Sequence, residues 1–119
     1  MGGVSVPYPA LVKAFESAAQ SITAGGALTL AHGLGAKPEL VQIALRCAVI
    51  DLGYAVGDDV LFPFFDQGGG YGCEVWADAS NVNVIFSSVS PVFRLHNKTT
   101  GVPADITLAS WRFVARGWV

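Results

Sequence analysis

The chain has 119 residues, of which 52% are hydrophobic and only 13% charged, with a formal net charge of −2. That length suits one domain with a real core, while so few charges point to a surface partly hidden against other subunits. The seven basic residues are scattered and leave no electrostatic footprint for nucleic acid. Arg46, Asp51, Asp58 and Asp59 interrupt the apolar runs, which excludes a membrane-spanning helix. Uneven strands without aromatic girdles fit a lipid-facing barrel poorly.

Met1-Gly2-Gly3-Val4 lacks the basic and apolar regions of a signal peptide. Residues 1–14 read as a separate N-terminal leader. Val4, Val6, Pro7, Tyr8 and Pro9 form its extended apolar part, and residues 10–15 add a helical turn. A leader this apolar is expected to anchor on a neighbouring subunit. Residues 15–119 form the folded domain.

Gly25-Gly26 separates two strand-like runs, 17–23 and 27–31. In the second, Leu28, Leu30 and His32 share one side of the extended chain. His32, Gly33, Gly35 and Pro38 then build a tight structural turn, in which the glycines permit positive φ and Pro38 keeps Lys37 extended. Residues 40–49 form a strand with Val41, Ile43, Leu45, Cys47 and Val49 as its core face. A loop at 53–59 enters a strand at 60–62, which Pro63 ends or places on an edge. Four glycines make 66–72 the most flexible stretch.

Strands at 73–77 and 81–87 are joined by the polar turn Asp78-Ala79-Ser80. A strand at 93–97, a turn at 98–101 and a short strand or lead-in at 106–108 follow. Residues 111–118 close the chain as a long strand with Trp111, Phe113 and Ala115 on one face. Short strands at even spacing with turn signals between them indicate an all-β fold, an antiparallel β-sandwich or barrel.

No catalytic constellation emerges. There is no Gly-x-Ser-x-Gly elbow, and Gly68-Gly69-Gly70 lacks the Lys and helix of a phosphate loop. Asp58 and Asp59 are adjacent, so on a strand they face opposite ways; they read as turn-capping or solvated groups. Cys47 and Cys73 read as free buried thiols rather than a bridge. Two Cys and two His share no ligand spacing, so no metal and no cofactor is expected. His32 reads as a backbone-bonded corner, with ligand binding or an intersubunit role as the alternative. Trp76, Trp111 and Trp118 read as core and interface anchors, with a sugar-stacking platform as the alternative. Possible ligand or partner contacts are Tyr54 and Tyr71 in glycine-rich loops, together with Trp76 and His96.

Some of these residues carry a resemblance. The run from Ser21 through His32-Gly33-Leu34-Gly35, then Lys37-Pro38 and a strand ending in Arg46-Cys47, resembles a module of tailed-bacteriophage and prophage virion proteins. So do Gly53-Tyr54-Ala55-Val56-Gly57-Asp58-Asp59-Val60, Asn97-Lys98-Thr99-Thr100-Gly101, Ile106-Thr107 and the segment from Trp111 to Trp118. The resemblance covers residues 17–119. It implies a non-enzymatic structural protein of the tail-fibre, tail-tip or decoration type, with a jelly-roll-like sandwich. Such a protein self-associates, commonly as a homotrimer, and docks on a larger capsid or tail component. The implied location is the virion, after synthesis in the cytoplasm of the bacterial host. The chain is similar, more weakly, to H-type lectins, which implies a carbohydrate-binding, receptor-recognition alternative with a host surface glycan as partner. The phage resemblance supplies no catalytic residue, and the charge and the broken apolar runs give no expectation of a nucleic-acid partner or of membrane insertion.

Overall fold

The computed structural model describes residues 13–62 and 66–119. They form two four-stranded antiparallel sheets and a two-stranded ribbon. The first sheet contains β1 (Ala14–Glu16), β10 (Trp111–Trp118), β3 (Leu40–Cys47) and β4 (Asp59–Phe62), in that spatial order. The second contains β2 (Ala27–Ala31), β7 (Asn81–Phe86), β6 (Tyr71–Ala77) and β5 (Asp66–Gly68). β8 (Arg94–His96) pairs with β9 (Pro103–Asp105), and a short 3-10 helix, Leu108–Ser110, leads into β10.

The core lies between the sheets. Ile43, Leu45 and Cys47 of β3 and Trp111, Phe113 and Ala115 of β10 face Val82, Val84 and Phe86 of β7, all buried. Strict alternation explains this: every second residue of each strand points inward. Phe86 packs edge-on against Phe113 at 5.3 Å and against Phe93 at 6.1 Å.

The chain is all-β, as expected, and several expected elements shift. The run 17–23 is not a strand; β1 lies earlier, and Gln20 makes only an isolated bridge to Phe113. Lys13 and Ala14, assigned to the leader, belong to the sandwich. Lys13 exchanges backbone bonds with Val119, and Ala14 pairs with Trp118. Phe15, expected in a helical turn, is in β1. The other leader residues, Val4, Val6, Pro7, Tyr8 and Pro9, lie outside the described residues, as does Pro63. The glycine-rich stretch 66–72 carries β5 and the start of β6, because Gly68, Gly69 and Gly70 take the positive φ of a tight turn between them. Residues 106–108 are a lead-in rather than a strand: β9 ends at Asp105, and the 3-10 helix that leads into β10 begins at Leu108. Val49 is exposed rather than core, because β3 ends at Cys47.

The outward face of the first sheet is sealed by ions. Ala44 and Val114 point away from the core yet are fully buried. Arg46 donates to both carboxylate oxygens of Asp59 at 2.8 and 3.0 Å, and Arg116 donates to Asp59 at 2.7 Å and to Glu16 at 2.8 Å. The apolar stems of these arginines cover the sheet while their heads pair. Asp59 is therefore a strand residue in an ion-pair network, not a turn cap. Its neighbour Asp58 does cap the turn, accepting from the Ala55 N–H at 3.0 Å and from Lys98 Nζ at 2.7 Å.

The Arg46 guanidinium, with Arg116 beside it, holds the Asp59 carboxyl below the usual carboxylate range, while partial burial acts in the opposite direction. A folded-state pKa below the unfolded value stabilises above the unfolded pKa and is lost as pH falls through the folded one. Asp59→Asn is expected to lower stability at pH 7 by about 1–2 kcal/mol in urea unfolding. The gap to the unmodified chain should close progressively below about pH 4.

Candidate functional site

A cleft of about 470 Å³ opens between β4, the last strand of the first sheet among the described residues, and the β8–β9 ribbon. Val60, Leu61, Phe62, Leu95 and Pro103 supply its apolar lining, and Tyr54, Asp66, Gln67, Arg94 and His96 its polar groups. A mainly apolar concavity with a few polar groups is the usual form of a small-ligand site.

Local bonds hold these groups in place. The Gln67 amide donates to the Arg94 carbonyl at 2.7 Å and accepts from the Arg94 N–H at 2.8 Å. It thus acts as a strand pair between β5 and β8. The Arg94 guanidinium pairs with Asp105 at 3.2 Å and lies 5.5 Å from the centre of the Tyr71 ring. Tyr54 donates its hydroxyl to the His96 carbonyl at 2.8 Å and packs edge-on against Trp111 at 5.4 Å. Asp66 accepts from the Gly68 N–H at 2.8 Å. These bonds fix the shape of the cleft, and the exposed side chains of His96 and Asp66 line it. Among the described residues, the lining holds no Ser, Thr, Cys or Lys.

Of the four candidate contacts, Tyr54 and His96 share this cleft. Tyr71 lies beside it, against Arg94. Trp76 is elsewhere: it is 52% exposed on the outward face of the second sheet, opposite Asn83. The three tryptophans do not form one platform. Trp111 is in the core, Trp118 is in the first sheet and Trp76 in the second. Sequence reasoning missed Asp66, Gln67, Arg94 and Pro103. The only available signal was the alternation of Arg94 and His96 with Phe93 and Leu95, which sends both polar residues to one side.

His32 is a corner. Its Nδ1 accepts from the Leu34 N–H at 3.0 Å, and its Nε2–H donates to the Asp78 carbonyl at 3.0 Å. The imidazole therefore stitches the turn after β2 to the turn before β7. On the other side of that contact, Asp78 accepts from the N–H groups of Ser80 at 2.9 Å and Asn81 at 2.7 Å, which hold its carboxyl below the usual range. Gly33 and Gly35 have φ of 63° and 81°, and buried Pro38 packs against Gly117 of β10.

Cys47 and Cys73 are free and buried. Burial pushes the Cys73 thiol up to about 12 and raises that of Cys47 as well, so both are poor nucleophiles. Among the described residues, no group of three or more His, Cys, Asp or Glu is placed to hold a metal, and no helix is long and apolar enough to cross a membrane. No protein family matches the chain, nor does any curated protein or solved structure.

His32→Ala is expected to lower stability by about 2–3 kcal/mol, because it leaves the Leu34 N–H and the Asp78 carbonyl without their partner. A thermal melt that matches the unmodified chain would show that the imidazole is not the corner bond.

Proposed function

We propose that this protein is a non-enzymatic virion structural protein of tailed-bacteriophage type, acting as a tail-fibre, tail-tip or decoration subunit. It works by assembly, burying apolar surface against copies of itself and against a larger capsid or tail component. The phage assignment rests on the sequence motifs from Ser21 to Trp118. The assembly assignment rests on one structural observation: exposed aliphatic side chains on rigidly braced loops.

Val49, Ile50 and Val56, in the loop after β3, are 57%, 73% and 65% exposed, and Val102, in the β8–β9 turn, is 58% exposed. The two loops are tied together. The Lys98 N–H donates to the Leu52 carbonyl at 2.9 Å, and Lys98 Nζ pairs with Asp58. Asp51 anchors the first loop by accepting from Trp111 Nε1 at 2.9 Å and from the Thr107 N–H at 2.8 Å. Such bracing keeps the aliphatic groups from folding back onto the core. Apolar side chains held outward on an ordered scaffold are what a subunit interface needs, at little ordering cost on association.

The cleft supports a second reading, a carbohydrate-binding receptor-recognition module. Its apolar walls with Asp66 and His96 suit a polyol ligand. Saturable binding of host polysaccharide that is lost in His96→Ala would favour it.

Light scattering at micromolar concentration tests the assembly reading. The chain should run as a multiple of its 12.4 kDa mass, and Ile50→Asp and Val56→Asp should shift it toward the monomer without changing its circular dichroism. An unmodified chain that is monomeric would contradict self-assembly.

A further inference from the structure

From the backbone of the second sheet we infer that the free edge of β2 pairs antiparallel with β2 of a second copy, about a two-fold axis at Thr29. The inference rests on the reading of this chain as a self-associating module and adds one defined contact to it.

β2 is an edge strand: among the described residues it pairs only with β7. The bonds that flank it set the direction of its backbone groups. At one end the Phe86 N–H donates to the Gly26 carbonyl at 2.8 Å, and at the other the His32 N–H donates to the Ser80 carbonyl at 3.1 Å. In an antiparallel ladder, residues bonded to the partner strand alternate with residues that face away. Gly26, Leu28, Leu30 and His32 therefore face β7. The N–H and C=O groups of Ala27, Thr29 and Ala31 face the open edge, and all three residues are exposed.

Among the described residues, this edge carries none of the usual protections. Ala27–Ala31 contains no charge and no proline, and its pairing with β7 runs through five positions without a register shift. β7 behind it is also uncharged, so two copies approach without like-charge repulsion.

The edge is its own complement. With Thr29 on the axis, Thr29 pairs with Thr29 of the second copy, Ala27 with Ala31, and Ala31 with Ala27. Each such pair exchanges two backbone bonds, about six in total. Leu28 and Leu30 become non-hydrogen-bonded neighbours across the axis, where side chains approach most closely. Both are only partly buried in the single chain, so the contact covers apolar surface on the inner face as well. Thr29 meets Thr29 on the outer face, a favourable cross-strand pair. A second copy of this chain is thus the partner that this edge fits.

Single-cysteine variants of the full chain test the register. Cys47 and Cys73 are buried, so the unmodified chain is the blank. Opposed positions in a bonded pair have Cα atoms about 5.5 Å apart, within disulfide reach. Under mild oxidation Thr29→Cys should give a cross-linked dimer. Ala27→Cys and Ala31→Cys should not link alone but should link when mixed. Thr29→Pro removes an N–H that no described residue accepts and that the intermolecular contact uses, so it should keep the circular dichroism of the unmodified chain and lose the contact. Ala27→Cys linking to itself as readily as Thr29→Cys would overturn the register. No Thr29 cross-link in a chain that light scattering shows to be oligomeric would overturn the edge pairing and leave the assembly reading in place. A chain that is monomeric throughout would overturn both.

Discussion

The ladder between β3 and β10 is the constraint on which the rest of the molecule depends. Eight consecutive pairs, from Trp111·Cys47 to Trp118·Leu40, lock the two longest strands together at the centre of the first sheet. Because side chains alternate, this one register sends Ile43, Leu45, Cys47, Trp111, Phe113 and Ala115 into the core together. A slip by one residue would exchange them for Gln42, Arg46, Arg112 and Arg116. The penalty for burying those groups is what holds the register.

The same ladder organises the outer surface. Arg46 and Arg116 come from its two strands, and Asp59 and Glu16 from the flanking strands β4 and β1. The network therefore ties four strands across one face and covers Ala44 and Val114. At the end of β3, the backbone leaves the ladder and the exposed loop begins. Its fixed points return to β10 and its approach: Ala48 N–H bonds to Ser110, and Asp51 bonds to Trp111 and Thr107. The exposed aliphatic groups at one end of the sandwich are thus held by the element that builds the core.

Much of this was legible in the chain. Strong alternation marked β3, β7 and β10, and polar or glycine-rich turns marked β2, so these elements stand where the pattern placed them. Position 44 shows where binary patterning stops: alanine there reads as a wet-face residue, but it is fully buried on the face that carries the Arg46–Asp59–Arg116 network. β1 and β9 were hidden because three-residue strands have too few positions to alternate, and both exist through pairing with partners distant in sequence, β10 in one case and β8 in the other. The cleft was only partly legible for a similar reason. Tyr54 and His96 stood out by residue type, whereas Gln67 and Arg94 meet through a side-chain-to-backbone clamp that no local pattern encodes. His32 needed its distant partner, Asp78, to become a corner rather than a candidate for chemistry.

What emerges is a rigid sandwich whose unsatisfied features are outward: aliphatic side chains on a braced pair of loops, and an uncharged open strand. Both are features that association would satisfy. Amide hydrogen exchange of the full chain, followed from low to high protein concentration, tests this most directly. The account predicts that exchange at Ala27, Thr29 and Ala31, and across residues 49–56, slows as concentration rises, while the β3–β10 amides stay protected throughout. Exchange at those positions that is equally fast at every concentration would contradict it.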